Sequence, residues 1–227
     1  MDVPDSDHSG HRARVRERLL KTGGDGLLDY ELLEYLLAVA RPRIDTKPIA
    51  KALLREFDTL PGVLSADPLE LARVPQVGES SIAAIKIVHA AAIRMAQVQA
   101  RERPVLANWQ ALLDYLRADM AHHKTERIRV LHLDTRNKLI RDEVVSEGSI
   151  DQATLHIREV IKRAIDLGSA AIILVHNHPT GDPSPSRADI DLTRSVIEAG
   201  KRLGIAVHDH IVIGTQGHAS LRSMGLM

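Results

Sequence analysis

Apolar residues in the first hundred positions recur at the spacing of helices. Between Asp29 and Val39, leucines fall three and four residues apart, which places them on one helix face. Glycines at 23–26 and the pair Pro61-Gly62 interrupt the pattern. The spacing predicts helices over approximately 11–22, Asp29–Val39, Thr46–Phe57, Asp67–Arg73 and Ser80–Arg101.

After Glu102-Arg103-Pro104 the pattern changes to short stretches that alternate or are continuously apolar. Two alternating stretches flank a polar turn at 134–138, which is typical of a β-hairpin. Residues 170–175 are continuously apolar and rich in branched side chains, as in a strand buried on both faces. The predicted elements are strands over 126–134, 139–146, 170–175 and 205–214, and helices over 109–120, 155–167 and 186–204.

These elements predict two domains of different class. Residues 1–10 are polar and are expected to form a disordered tail. Residues 11–103 are expected to form a small all-α domain. Residues 104–227 are expected to form an α/β (α+β) domain, in which helices flank a mixed central sheet.

Composition narrows the functional classes. The 227 residues contain 30 basic and 30 acidic side chains, so no net charge draws the chain to nucleic acid or to an anionic membrane. Cysteine is absent, which excludes disulfides, a thiol nucleophile and a cysteine-ligated zinc site. The acidic first seven residues do not resemble a signal peptide, and we expect no apolar run of the ~18 residues that a membrane span needs. A cytoplasmic protein is expected.

The candidate chemistry follows the apolar stretch at 170–175. His176 and His178 alternate with Asn177, so both imidazoles project from one side of a strand end. Ser186 is predicted to be the N-cap of the next helix, and Asp189 falls in its first turn. Two histidines and one carboxylate, with a fourth position left for water, form the ligand set of a catalytic zinc. Alternatively, Ser186 and Asp189 form a capping box and the histidines only close a buried strand.

The segment "HNHPTGDPSPSRAD" resembles the JAMM metalloprotease signature of the MPN domain, as it occurs in the bacterial RadC family. In that signature one residue separates two histidines. A serine follows the second histidine by eight positions, and an aspartate follows it by eleven. The segments "VLHLDTRNKLI", "EVVSEGSID" and "DHIVIG" are also similar to RadC. The resemblance implies an MPN/JAMM fold for residues 104–227.

The resemblance also implies roles for individual residues. His176, His178 and Asp189 would bind Zn²⁺, and Ser186 would hydrogen-bond the reacting water or the oxyanion. The JAMM general base is a glutamate at the start of the first strand, which is the position of Glu126. Other glutamates that remain open for this role are Glu143, Glu147 and Glu159.

A second pair of histidines, His208 and His210, lies on the last long predicted strand. These imidazoles are rival ligands by residue type alone. JAMM sites do not use this segment for metal, so we interpret His210 as a residue behind the ligands or in the wall of the cleft.

The segment from Pro68 to Ile93 resembles a helix-hairpin-helix unit, in which backbone N–H groups bind nucleic-acid phosphate. Glu79 replaces the usual second glycine of its turn and would repel a phosphate. A helical module that docks on a protein is the alternative interpretation.

The leading hypothesis for the whole chain is therefore a zinc-dependent hydrolase of peptide or isopeptide bonds, with a peptide or protein substrate. A DNA-associated repair or recombination protein with a structural or vestigial metal site is the alternative. A catalytically inactive assembly scaffold is a third interpretation. No membrane partner is expected.

Overall fold

The structure, a computed structural model, describes residues 7–102, 104–148 and 155–227. It divides into two compact units, Met1–Ala92 and Ile93–Met227. The first helix begins at Asp7, four residues before the start that we predicted, and residues 1–6 of the predicted tail lie outside the described residues. The domain division at residues 103 and 104 stays a prediction.

The first unit is helical. Its helices are α1 (Asp7–Thr22), α2 (Asp29–Ala40), α3 (Lys47–Phe57), α4 (Leu60–Ser65), α5 (Pro68–Leu71) and the first part of α6 (Glu79–Glu102). Their apolar faces meet in a core that includes Leu33, Leu37, Leu53, Leu71 and Ile85. Fully burying each leucine contributes roughly 1.5–3 kcal/mol.

Helix α4 differs from the sequence prediction. We expected Pro61-Gly62 to interrupt the helical pattern, but both residues lie inside this short helix. Proline is tolerated there because the first-turn N–H groups of a helix have no partner within it. Thr59 caps the helix by accepting a hydrogen bond from the Gly62 N–H at 3.1 Å.

Helix α6 bears on the expectation that no apolar run of the chain is long enough for a membrane span. Its segment Glu79–Val98 is long and apolar enough to cross a membrane, by length and composition only. A single helix of this kind is weak evidence for a membrane span.

The second unit contains a mixed sheet. Within the described residues, its five strands lie in the order β2-β1-β3-β4-β5. Strand β1 pairs antiparallel with β2 and β3, β3 pairs parallel with β4, and β4 pairs antiparallel with β5. The bounds are β1 Glu126–Leu133, β2 Leu139–Gly148, β3 Ala171–Asn177, β4 Ala206–Gly214 and β5 Gly217–Ser220, with helices α7 Trp109–Met120, α8 Ile157–Asp166 and α9 Arg187–Lys201.

Helices cover both faces of the sheet. On one face Ile173 and Val175 share a core with α7, and on the other Ile172 and Leu174 share a core with α8 and α9. Every residue of β3 is consequently buried, as its continuous apolar sequence predicted. The mixed sheet, the flanking helices and the preceding helical region confirm the predicted fold class.

Candidate metal centre

The two histidines lie at the carboxyl end of β3, on the face that packs against α8 and α9. His176 belongs to the strand and is 1% exposed, and His178 is the first residue after the strand. Their Nε2 atoms are 3.0 Å apart. Strand alternation therefore brings the rings together as expected.

Asp189 reaches the same point from the first turn of α9. Its Oδ1 lies 3.3 Å from His176 Nε2, and its Oδ2 lies 3.6 Å from His178 Nε2. The same carboxylate completes a capping box, because Oδ2 accepts from Ser186 N at 2.7 Å and from Ser186 Oγ at 2.6 Å. The capping box that the sequence left open as an alternative is thus present, and the same carboxylate also lies beside both histidines.

The partners of His178 define its tautomer. Its Nδ1 is 2.9 Å from the backbone carbonyl oxygen of Asp182. A carbonyl oxygen only accepts hydrogen bonds, so Nδ1 carries the proton. In the neutral ring the lone pair then lies on Nε2, facing Asp189.

The tautomer of His176 follows from a longer chain of contacts. Thr193 Oγ donates to the Asp189 carbonyl oxygen at 2.5 Å and therefore accepts from His210 Nδ1 at 2.6 Å. Burial lowers the pKa of His210 to about 3, so this ring is neutral and its Nε2 is an acceptor. His176 Nδ1 donates to that atom at 2.8 Å, and the lone pair of His176 also lies on Nε2.

Two lone pairs and a carboxylate thus face one point. Burial would raise the pKa of Asp189, but the two histidines, which donate to the carboxylate when their Nε2 atoms are protonated, and a hydrogen bond from Ser186 outweigh it and hold the pKa well below its usual range. The hydrogen bond to Asp189 raises the pKa of His178, because a proton in this space relieves the repulsion.

The spacing fits a zinc ion. Ligand atoms at about 2.0–2.1 Å from a tetrahedral zinc are about 3.3–3.4 Å from one another. His176 Nε2 and His178 Nε2 are 3.0 Å apart; His176 Nε2 lies 3.3 Å from Asp189 Oδ1, and His178 Nε2 lies 3.6 Å from the other carboxylate oxygen, Asp189 Oδ2. They form a group of potential metal ligands that all lie within 4.8 Å of one another. The donor set supplies imidazole nitrogen and carboxylate oxygen, which zinc accepts.

Glu126 lies at the start of β1, beside this group. Ile128 pairs with His176, and side chains alternate along a strand, so Glu126 projects to the face of the histidines. Burial raises the pKa of Glu126, and its carboxyl group interacts electrostatically with His176, Asp189 and His178. A carboxylate with a raised pKa is a better proton acceptor near neutral pH.

The other candidate glutamates have different partners. Glu143 accepts a hydrogen bond from Arg163 Nε at 2.8 Å. Glu147 is bound by Arg127 at 2.6 Å, and the pairing of these residues places it on the opposite face from Glu126. Glu159 is exposed on α8 next to Arg158. Glu126 remains our choice for the base.

The family model described as RadC-like JAB domain matches residues 106–226, more than half of the chain. The chain belongs to the RadC family. The resemblance to RadC and to the MPN/JAMM fold is thereby confirmed. The matched residues contain Glu126, the histidine pair and Asp189.

From the sequence of this RadC-family chain, Thr193 was not identified as a residue of the site. This residue lies four positions after Asp189 on α9, so helical periodicity places both on one face. That spacing was the available signal. His210, which we had interpreted as lying behind the ligands, contacts His176, whereas His208 binds Asn137 at 2.7 Å.

Proposed function

We propose that this RadC-family protein is a zinc-dependent hydrolase that cleaves peptide or isopeptide bonds. The observation that supports it is the convergence of His176 Nε2, His178 Nε2 and Asp189, with Glu126 on the same sheet face. Zinc bound there would polarise a carbonyl group and lower the pKa of water to about 7.

The chain's own residues supply the remaining steps. Glu126 takes a proton from the attacking water and passes it to the leaving amine. The carbonyl oxygen of Asp182 and the ring of His210 hold the two imidazoles in the tautomers that leave Nε2 unprotonated.

Ser186 has two functions in this proposal. It caps α9 and donates to Asp189 Oδ2, which fixes the carboxylate. We further propose, from the JAMM resemblance, that during the reaction this hydroxyl turns its single proton from Asp189 to the reacting water or to the oxyanion.

Zinc analysis of purified protein tests the ligand set. We expect stoichiometric zinc in the wild type and in Glu126→Gln, and its loss in His178→Ala and Asp189→Asn. Full zinc occupancy in both ligand variants would contradict the site.

Hydrolysis is tested separately with a pool of random peptides and a lysine-branched peptide, followed by mass spectrometry. Glu126→Gln keeps every proposed ligand, so we expect it to bind zinc and to lose about 10²–10⁴-fold in rate. Equal rates in this variant and the wild type would exclude Glu126 as the base.

DNA association is the second candidate function. Helix α5, the turn after it and the long helix α6 follow one another in the order of the helix-hairpin-helix unit that the sequence resembles, and this favours it. Two basic side chains of α1 have internal partners, however: Arg12 donates to the Pro42 and Ile44 carbonyls, and Arg18 to Glu31. Salt-dependent binding to branched DNA would support this function, and no binding at low salt would exclude it. A cytoplasmic location is part of both proposals.

A further inference from the structure

The residue between the two histidines points away from them and binds the start of β1. Asn177 is completely buried. Its Oδ1 accepts from the Arg127 N–H at 2.9 Å, and its Nδ2 donates to the carbonyls of Thr125 at 3.1 Å and His123 at 3.3 Å. Because an N–H only donates and a carbonyl only accepts, these partners fix the orientation of the amide.

These hydrogen bonds lie on both sides of Glu126. Backbone pairing between β1 and β3 ends at Ile128 and His176. Beyond that pair, the Asn177 side chain binds the backbone of the residues immediately before and after Glu126. Since Glu126 alternates with these neighbours, fixing their backbone directs its carboxyl group towards the histidines.

We propose that Asn177 is a positioning residue that holds Glu126 at the metal centre. This inference rests on the proposed function. The tripeptide His176-Asn177-His178 then performs two tasks with alternating side chains. Its histidines present ligand atoms on one face of the sheet, and its asparagine locates the general base through the backbone of the neighbouring strand.

A purely structural role for Asn177 makes a different prediction. A buried amide that only stabilises the hairpin would lower stability when removed, and Glu126 would stay near the metal. Ser169 is the matched control, because it is buried and polar, lies two residues before the other end of the same strand, and contacts His132 at 3.1 Å.

The test places Co²⁺, a paramagnetic ion, in the site and detects the side-chain carboxyl carbons of ¹³C-labelled glutamate by NMR. Glu126→Gln assigns the resonance. We expect strong paramagnetic broadening of Glu126 in the wild type and in Ser169→Ala, and clearly weaker broadening in Asn177→Ala with Co²⁺ bound. Unchanged broadening in Asn177→Ala would overturn the proposal.

Asn177→Asp takes the place of Asn177→Ala in this NMR test if the alanine variant does not fold. It keeps the acceptor for Arg127 but sets a carboxylate oxygen against the Thr125 and His123 carbonyls, so Glu126 should again lose broadening. The same broadening as in the wild type counts against the proposal.

Amide hydrogen exchange of the metal-free protein separates this inference from the proposed function. Loss of the hydrogen bond to Asn177 should raise the exchange rate of the Arg127 amide about tenfold in Asn177→Ala, and not in Ser169→Ala. If Co²⁺ does not bind the wild type, the proposed function fails. The exchange rate of the Arg127 amide then still shows whether Asn177 holds the segment around Glu126. An unchanged rate would show that Asn177 does not hold the segment.

Discussion

His210 lies behind His176 and determines which nitrogen of that ring faces Asp189. The chain from His176 through His210 and Thr193 ends on the backbone carbonyl of Asp189, so it connects two proposed ligands. Partners of this kind orient metal-binding imidazoles and raise their basicity.

Replacing His210 with alanine is therefore expected to weaken zinc binding about 10–100-fold although every ligand is intact. His208→Ala is the matched control, because His208 lies two positions away and binds Asn137 instead. Competition with a chromophoric chelator measures both affinities. Equal affinities in the two variants would contradict the role of His210.

The sequence predicts the placement of a single residue when that placement depends only on its near neighbours along the chain. His176 and His178 needed only strand alternation, and Asp189 needed only the helix start at Ser186. Asn177 contacts Arg127, and Thr193 contacts His210, through hydrogen bonds that depend on the tertiary fold. The spacing along the chain relates Thr193 to Asp189, but it does not predict either of these distant partners.

At the scale of elements, the first turn of α9 combines a helix cap with a proposed ligand. Ser186 Oγ accepts from the Asp189 N–H at 3.2 Å and donates to the Asp189 carboxylate. The start of the helix and the position of the carboxylate are thereby coupled.

Ser186→Ala should lower the free energy of unfolding of the metal-free protein by about 1 kcal/mol, as expected for a lost N-cap. Ser186→Thr retains the hydroxyl and should lower the free energy of unfolding by less. The control Ser195→Ala changes an exposed serine within the same helix and is expected to stay within about 0.5 kcal/mol of the wild type. Urea denaturation measures all three, and equal losses at both serines would contradict the cap.

The packing of α7 against the hairpin contains a buried ionic network. Arg129 donates to Tyr115 Oη at 2.7 Å and to Asp142 at 3.0 Å, and it also binds Asp119. The side chain of Asp142 is only 3% exposed. Its charge therefore depends on the arginine.

Arg129→Met should destabilise the protein by about 3–5 kcal/mol, because it leaves the buried carboxylate of Asp142 without its cationic partner. The Tyr115 hydroxyl, which also donates to Asp142, carries no charge. Lys162→Met removes one partner of an exposed ion pair with Asp166 and should cost about 0–1 kcal/mol. Chemical denaturation compares the variants. A similar small loss in both would show that the network contributes little.

The order and type of most elements were predictable because apolar spacing determines which face is buried. Helix α4 was missed, since Pro61-Gly62 is a turn signal that the Thr59 cap overrides. From the sequence, residues 148–154 are expected to form a loop between the second predicted strand and the helix at 155–167; Gly148 instead ends β2, and residues 149–154 lie outside the described residues.

At the scale of the whole molecule, buried histidines link stability to pH. The pKa of His210 is about 3 in the folded protein and about 6.5 in an unfolded chain. Between these values the unfolded chain binds the proton, so this residue reduces stability as the pH falls. His178 has a raised pKa and acts in the opposite sense, with its contribution lost as the pH rises.

His210→Gln should therefore reduce the loss of stability of the metal-free protein between about pH 6.5 and about pH 4. Urea denaturation in the presence of a chelator gives the free energy of unfolding at each pH. Parallel pH profiles for the variant and the wild type would contradict the buried neutral state of His210.

The proposed ligands lie within residues 176–189, whereas Glu126 comes from the antiparallel neighbour of β3. A strand–helix cassette cut from this protein and grafted onto a foreign scaffold would consequently carry a chelator without its proton acceptor. Transplanting the proposed hydrolysis would require the adjacent hairpin as well, which the Asn177 of the cassette would hold in place.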